Sequence, residues 1–250
     1  MKTNWDYTKL ADAYLKRPDY APSAINEMFN VAELKKGDLA CDVGAGVAHL
    51  TLELNSRELV VDAVEPNDSM RKNGIERTKN LNINWFEGAG ENTGRESSKY
   101  DIVTFGSSFN VCDRQLALKE TSRILKLNSW FACMWNHRDI ESNTIQKEIE
   151  NIIKNNIEGY GYGTRREDQS DEINKSELFR NVTYIEGHVT HSKSIEGQIE
   201  AWKSHATLER QAGSRFYKII DEIEKYLRSL DKEFIDIDYT TRLWMAKSIN

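Results

Sequence analysis

The sequence predicts an α/β fold in which helices cover both faces of an open, mostly parallel β-sheet. Short apolar runs of strand length alternate with longer segments of helical period along the chain, as expected of successive strand and helix units. The first run leads into a glycine-rich turn and the second ends in a carboxylate, which is typical of nucleotide-binding sheets. With 250 residues, the chain can form one such domain with an elaboration.

The glycine-rich turn follows the apolar run 39–43 and contains Gly44, Gly46 and Ala48. Glycine can adopt positive φ and lets a ligand lie against the main chain, while the following helix directs free N–H groups at that ligand. A dinucleotide-binding turn needs a small residue at the position that His49 occupies. NAD is therefore disfavoured, although an NAD-dependent oxidoreductase stays an alternative.

The second apolar run, 59–65, ends in Glu65, about twenty residues beyond the glycines. A carboxylate at the end of the second strand can accept hydrogen bonds from both hydroxyls of a ribose, and charge-assisted bonds of this kind are strong. Both NAD and S-adenosylmethionine (SAM) contain such a ribose. Glu65 therefore indicates an adenosine-containing cofactor without choosing between them.

Several segments together resemble the class I SAM-dependent methyltransferases, in particular the methyltransferase type 11 group and its trans-aconitate methyltransferase-like branch. The similar segments are Tyr14 with Arg17-Pro18, the motif I spacing Asp42-x-Gly44-x-Gly46-x-Ala48, the motif IV strand 100–105, and the Glu-x-x-Arg-Ile-Leu-Lys pattern at 120–126. Ala48 stands where motif I has its last glycine. The resemblance covers about residues 10–140, and its motifs occur in the family's order and spacing.

The resemblance implies a Rossmann-like fold whose seven-stranded mixed sheet has the order 3-2-1-4-5-7-6, with strand 7 antiparallel. Residues 1–250 are then one domain, with a lid at 1–23 and a small helical cap from a substrate-side insertion at about 140–180. The expected strands are 39–43, 59–65, 83–87, 100–105, 130–135, 182–189 and 239–246. The expected helices begin at Ser23 as N-cap, at Ala48 and at Asp68, or span 113–125, 145–157, 195–208 and 216–230.

The family's cofactor contacts, transferred position by position, predict a SAM site. Its predicted residues are Tyr14, Arg17, Asp42, Gly44, Ala45, Gly46, Glu65, Pro66, Met70, Ala89, Gly90, Glu91, Phe105 and Gly106. Met70 is expected to lie against the adenine, although a place in a helix core would suit it equally. The loop 88–94, with three glycines, leaves room for a flat ring.

The acceptor is expected at the carboxyl ends of strands four and five, because open α/β sheets bind ligands at that edge. The predicted acceptor-side residues are Ser107, Asn110, Trp135, Asn136, Arg138, Tyr162, Arg165 and His205. His137 is a candidate general base for a hydroxyl acceptor. The arginines could instead bind an anionic acceptor through forked hydrogen bonds or form surface ion pairs, and the histidines could be structural.

Composition narrows the function further. The formal net charge of −6 argues against nucleic acid as partner, and three cysteines without Cys-x-x-Cys spacing indicate neither a metal site nor a disulfide framework. No leader-like or membrane-spanning run occurs, so a soluble cytoplasmic protein is expected. The oligomeric state stays open.

The predicted activity is SAM-dependent methylation of a small polar metabolite, with O-methylation favoured. Bacterial surface-polysaccharide biosynthesis is a possible setting, and capsule, phosphoramidate and sugar precursors are candidate acceptors. A non-catalytic SAM-binding regulator is the remaining alternative. It would keep the cofactor motifs but lack an acceptor pocket, against which the aromatic and basic stretch 159–168 argues.

Overall fold

The computed structural model describes residues 11–203 and 205–249 and contains the predicted sheet, with strand order 3-2-1-4-5-7-6. The strands are β1 (Leu39–Val43), β2 (Val60–Val64), β3 (Ile83–Phe86), β4 (Tyr100–Gly106), β5 (Leu125–Arg138), β6 (Phe179–Ser194) and β7 (Phe234–Ser248). Strands β1 to β5 are parallel, and β7 is antiparallel to both β5 and β6. The predicted fold class, strand order and antiparallel strand are confirmed.

Ten α-helices connect these strands in the described part of the chain. They are α1 (Ala11–Tyr14), α2 (Pro22–Ala32), α3 (His49–Ser56), α4 (Asp68–Arg77), α5 (Arg114–Ile124), α6 (Thr144–Asn156), α7 (Ser170–Lys175), α8 (Ile195–Lys203), α9 (Ala206–Ala212) and α10 (Phe216–Arg228). Among these residues, no helix has both the length and the apolarity needed to cross a bilayer.

The sheet register brings the strand ends that bear the motifs to one edge. Asp42 near the end of β1 pairs with Ala63 of β2 and with Thr104 of β4, and Gly106 at the end of β4 pairs with Met134 of β5. The turns that follow β1, β2, β4 and β5 therefore lie side by side. This edge is where an open parallel sheet binds its ligand.

Short polar side chains fix the starts of three helices. Asn67, Asp113 and Asn143 each accept a hydrogen bond from the backbone N–H three residues on, at 3.0–3.1 Å, as N-cap residues do. The predicted cap at Ser23 is wrong. Helix α2 begins at Pro22, and no side chain caps it, because proline has no N–H to satisfy at the first helical position and its φ already suits a helix.

The last three strands are longer than predicted, because polar residues continue them beyond their buried apolar centres. β7 pairs with β5 from Lys247 to Tyr239, whereas its first residues, 234–238, pair with β6 alone. This two-stranded extension carries apolar side chains, including Ile235 and Ile237, that join α6, α8, α9 and α10 in a second apolar cluster. The cap is built on this extension.

One predicted boundary in the cap region is wrong. The helix expected at 195–208 ends at Lys203, and a separate helix, α9, begins at Ala206. Within the predicted insertion at about 140–180, α6 joins the second apolar cluster and the 3-10 turn at 163–166 lines the cavity described below. Helix α7 lies against α5, where Gln115 Nε2 donates to the Glu172 carbonyl at 2.9 Å. The single domain over 1–250 stays a prediction.

Helix α4 packs so closely on β3 that its glycine cannot be replaced without cost. A Cβ on Gly74 would lie 2.1 Å from Trp85 Cη2, and the indole is held by its Nε1 donating to Thr78 Oγ1 at 2.9 Å. Although alanine favours helices by about 1 kcal/mol over glycine, we expect Gly74→Ala to lower the free energy of unfolding by about 1–3 kcal/mol through overpacking. Denaturant unfolding measures this change.

Gly197→Ala in α8 is the matched control, since the one described neighbour within 4 Å of its new Cβ is Ser194 Oγ at 3.1 Å. This variant should be as stable as the parent or more so. Equal stability of the two variants would contradict the packing argument.

Candidate active site

One large cavity, of about 680 Å³, opens along the carboxyl ends of β1, β2, β4 and β5. It brings together nearly all the predicted site residues. Its wall contains Tyr14, Arg17, Asp42, Gly44, Ala45, Gly46, Glu65, Pro66, Met70, Ala89, Gly90, Glu91 and Gly106 from the predicted cofactor set, and Ser107, Asn110, Trp135, Asn136, His137, Arg138, Tyr162, Arg165 and His205 from the acceptor set. Phe105 is the exception, because its ring is fully buried between Phe109 and Phe131 in the core.

The turn after β1 needs backbone conformations that glycine adopts readily. Gly44 and Gly46 have φ of 69° and 57°, and a Cβ on Gly44 would lie 2.4 Å from Ser108 Cβ. Ala48 has φ of 74°, so the third position of the motif keeps the left-handed conformation despite its side chain. The turn therefore exposes main chain to the cavity.

Asp42 is buried beneath this turn and is 1% exposed. Its two carboxylate oxygens accept hydrogen bonds from Thr51 Oγ1 at 2.7 Å and Thr104 Oγ1 at 3.1 Å. Burial raises the pKa of Asp42 to about 6, since desolvation penalises the charged form. Asp42 thus links β1, α3 and β4 and still reaches the cavity wall.

Glu65 is held at the end of β2 by backbone donors. Its carboxylate accepts from the N–H of Gly46 and from the N–H of Asn67, both at 2.8 Å. The side chain is 6% exposed, and burial raises the pKa of its carboxyl. Each carboxylate oxygen can accept more than one hydrogen bond, so Glu65 can also accept from the hydroxyls of a ribose.

The residues predicted to contact adenine, Met70 and 89–91, line the cavity and pack closely against their neighbours. Met70 packs on Ala11 and Val47 and also lines the cavity, so both interpretations of this residue fit the geometry. A Cβ on Gly90 would lie 2.5 Å from Cys112 Sγ, so a larger residue there would displace the Cys112 side chain. Glu91 is tied to the start of α5, because its Oε1 accepts from the N–H of Asp113 at 2.6 Å.

Residues 14–21 of the predicted lid pass over the cavity, whereas residues 1–10 lie outside the described residues. His49 holds this segment through both ring nitrogens, with Nε2 2.8 Å from the carbonyl oxygen of Tyr14 and Nδ1 3.0 Å from Asp19 Oδ1. Asn136 Nδ2 donates to the carbonyls of Pro18 and Asp19 at 3.2 and 2.8 Å. His49, the bulky residue that disfavours NAD, thus connects the start of α3 with the segment 14–21.

The acceptor side of the wall is basic. Arg138 and Arg166 have their guanidinium groups 4.2 and 3.8 Å from the ring centroids of Trp202 and Tyr162. The Nε atoms of both arginines are buried and have no hydrogen-bond partner among the described residues. The wall also includes Lys193, which the sequence did not identify.

His137 lies in this basic wall and is 7% exposed. Neither ring nitrogen has a partner of hydrogen-bond geometry in the described part of the chain. Burial, followed by the positive charges of Arg166, Arg242 and Arg165, lowers the pKa of His137 to about 3. The ring is therefore neutral near pH 7.

His205 is the N-cap of α9 rather than a residue inside a helix. Its Nδ1 accepts from the N–H of Leu208 at 3.2 Å, and its ring stacks on Trp202 with centroids 5.0 Å apart. Burial lowers the pKa of His205 well below its usual value. Because Nδ1 accepts, the neutral ring carries its hydrogen on Nε2 and offers a donor.

Sequence reasoning missed several residues of the wall. The missed residues are Lys16, Pro18, Tyr20, Ser108, Lys193, Arg210 and Tyr239. Tyr20 had a signal, since it lies two residues beyond the Arg17-Pro18 pair. Lys193 and Tyr239 had none, because only the pairing of β6 with β7 brings them to this edge.

The cavity has acidic side chains toward the glycine turn and basic ones toward the cap. Asp42, Glu65 and Glu91 line the first half. This charge suits a cofactor with two positive groups, and the glycine turn leaves room for it against the main chain. The fold and the cavity together resemble those of class I SAM-dependent methyltransferases.

Comparison with known proteins agrees with this class. Residues 41–133 match the family described as methyltransferase domain. Staphylococcus carnosus demethylmenaquinone methyltransferase is 33% identical over 109 residues, which are 41% of this chain and 44% of that protein. An uncharacterized methyltransferase of Schizosaccharomyces pombe is 31% identical over 140 residues, 53% and 52% of the two chains. The chain thus spans about half the length of these relatives or less.

Solved structures are similar in fold to nearly the whole of this chain. A candidate type II methyltransferase from Anaeromyxobacter dehalogenans has a TM-score of 0.68 at 15% identity, covering 92% of this chain and 97% of that one. Phosphoethanolamine N-methyltransferase 2 of Haemonchus contortus, solved with S-adenosylhomocysteine, has a TM-score of 0.53 at 13% identity and covers 91% and 52%. At these identities the likeness concerns the fold. The resemblance to the trans-aconitate-like branch stays a prediction.

Asp42 should make stability depend on pH. Its folded pKa of about 6 lies above the ordinary 3.8, so between these values the folded state binds more protons than the unfolded state, and this contribution to stability is lost as pH rises. Asp42→Asn does not titrate. Relative to the parent, its free energy of unfolding should improve by about 3 kcal/mol at most between about pH 4 and pH 7. Denaturant unfolding of both proteins at both pH values measures this, and a pH-independent difference would contradict the assignment.

Proposed function

We propose that this protein transfers a methyl group from SAM to a small anionic molecule. The observation that carries the proposal is the basic acceptor wall. In the described part of the chain, Arg138, Arg165, Arg166 and Lys193 form no ion pair with a carboxylate. Buried charges are normally paired, so an anion in the cavity would supply the missing partner.

The residues on the cofactor side would hold SAM in a fixed orientation. Glu65 would accept from its ribose, Gly44 and Gly46 would allow its close approach, and the lid segment would shield it from water. When bound, SAM supplies an electrophilic methyl group, whose bond to sulfur breaks as the acceptor atom forms its new bond. The protein then has to align the acceptor, and alignment alone can contribute roughly 7–11 kcal/mol to lowering the barrier.

His137 fits an anionic acceptor better than a hydroxyl acceptor. A general base works best when its pKa lies near the working pH, and the pKa of His137 is lowered to about 3. An oxygen that is already ionised needs no base. We therefore propose that His137, as a neutral ring with one N–H, positions the acceptor rather than deprotonating it.

The acceptor class follows from the same wall. Arginine binds carboxylate and phosphate groups with paired hydrogen bonds, so O-methylation of such a group is favoured, and a phosphoramidate or an acidic sugar precursor of a surface polysaccharide remains within the proposal. The curated relative from Staphylococcus carnosus is named for a quinone acceptor, which is uncharged. The basic wall favours a charged acceptor here.

The cofactor can be tested before the acceptor is known. Calorimetry with SAM and NADH in parallel should show binding of SAM alone, and Glu65→Ala should weaken SAM binding by about 1.5–3 kcal/mol, because a charged hydrogen-bond acceptor is lost. Glu76→Ala, at an exposed site on α4, is the matched control and should bind like the parent. Binding of NADH, or unchanged SAM affinity in a folded Glu65→Ala protein, would contradict the assignment.

The acceptor can be found by screening anionic metabolites for a SAM-dependent mass gain of one methyl group. With an active acceptor, Arg166→Gln should raise KM about 10- to 100-fold while SAM affinity stays the same, since one charged hydrogen bond is worth about 1.5–3 kcal/mol. Arg180→Gln, exposed on β6, serves as control. Methylation of tRNA or of uncharged compounds only, or an unchanged KM in Arg166→Gln, would overturn the anionic acceptor.

A further inference from the structure

The hydroxyl of Tyr20 lies at the carboxyl end of β4, on the wall of the cavity. Tyr20 is 7% exposed, and its Oη is 3.2 Å from Ser107 Oγ. A Cβ on Gly106 would lie 2.9 Å from the same Oη. The missing side chain of Gly106 thus lets the hydroxyl rest against the last residue of the strand.

The residues on either side of Tyr20 are anchored to the neighbouring strands. The carbonyl of Asp19 accepts from Asn136 Nδ2 of β5 at 2.8 Å, and the N–H of Ala21 donates to Thr241 Oγ1 of β7 at 2.7 Å. Thr241 Oγ1 in turn donates to Asn136 Oδ1 at 2.5 Å. This network fixes the Tyr20 ring from both sides of the chain.

Ser107 is held in an unfavourable backbone conformation to make its contact. Its φ is 63°, in the left-handed region that costs non-glycine residues about 1–3 kcal/mol. Its N–H donates to the carbonyl of Met134 at 2.8 Å, so its place at the end of β4 is fixed. Strained residues of this kind occur preferentially at functional sites.

The two hydroxyls form an electron-rich corner of the cavity. One hydroxyl donates to the other, and because each oxygen has two lone pairs, lone pairs remain on both oxygens. Burial raises the pKa of Tyr20 to about 12, so its hydroxyl is neutral near pH 7. Asp42, which shares the wall with them, also lies close enough to act on Tyr20 electrostatically.

We propose that the Tyr20 and Ser107 oxygens bind the positively charged methylsulfonium end of SAM, and thereby shift the preference of the site toward SAM over S-adenosylhomocysteine. The inference rests on the proposed function and assigns these residues as cofactor-positioning groups. A positively charged sulfur polarises the hydrogens of its methyl group, which then make favourable C–H···O contacts with oxygen lone pairs. The homocysteine product has neither the charge nor the methyl group, so it gains nothing from these oxygens.

The test compares the affinities of SAM and S-adenosylhomocysteine by calorimetry and needs no acceptor. Tyr20→Phe removes one oxygen but keeps the ring, and Ser107→Gly removes the other while permitting the positive φ. Each variant should bind SAM roughly fivefold more weakly and the product less than about twofold more weakly. Tyr217→Phe, at a residue 76% exposed on α10, should leave both affinities unchanged.

The possible outcomes separate this inference from the proposed function. If the parent protein binds neither ligand, both fail. If the parent binds SAM but the two affinities keep the same ratio in Tyr20→Phe and Ser107→Gly, the hydroxyls only pack the lid and this inference alone is wrong. Thermal unfolding of each variant shows whether it is still folded. Because the two substitutions are at separate residues, one folded variant is sufficient for the test. A lower ratio of SAM affinity to S-adenosylhomocysteine affinity in either folded variant supports the inference.

Discussion

The hydrogen bonds of the Asn136 side chain hold together the parts of the structure on which the cavity depends. Its nitrogen donates to the carbonyls of Pro18 and Asp19, and its oxygen accepts from Thr241. One amide on β5 therefore joins the lid segment to β7, across more than a hundred positions of sequence. Polar groups that satisfy one another's hydrogen bonds favour one arrangement, and here they connect the segment over the cavity with the antiparallel strand.

The two halves of the cavity differ in charge, and this difference has an energetic cost. The arginines on the cap side lie in a partly buried wall without carboxylate partners among the described residues, where desolvation is unfavourable. Stacking on aromatic rings compensates in part, as for Arg166 over Tyr162 and Arg138 over Trp202. Under the proposed function, binding of an anion would offset the remaining cost. The proposed acceptor side would thus be preorganised for an anion. His137 is neutral near pH 7, because its pKa is lowered to about 3, so it adds no further positive charge to this wall.

The residues predicted for the cofactor half line one cavity, and they could be selected from the sequence because that half is built from local signals. A glycine turn, an acid at the end of the next strand and the alternation of strands with helices occur within short stretches, and they sufficed for the sheet order. The acceptor half depends on tertiary contacts. The break between α8 and α9 that makes His205 a cap, and the β6–β7 pairing that places Lys193 and Tyr239 on the wall, leave no local pattern. Phe105 lies in the predicted strand, β4. Because side chains alternate between the two faces of a strand, its ring packs in the core and not in the cavity.

This division explains why sequence similarity and fold similarity cover different parts of the chain. The family match ends at residue 133, just before Trp135, Asn136, His137 and Arg138, whereas fold similarity extends over 92% of the chain. The sheet and the glycine turn serve a cofactor common to the class. The extension of β6 and β7 carries the helices of the cap, so changes in that apolar cluster can alter the acceptor wall without disturbing the cofactor side. Under the proposed function, the acceptor would therefore be selected within residues 135–239, by the basic and aromatic side chains that the cap brings to the edge of the sheet.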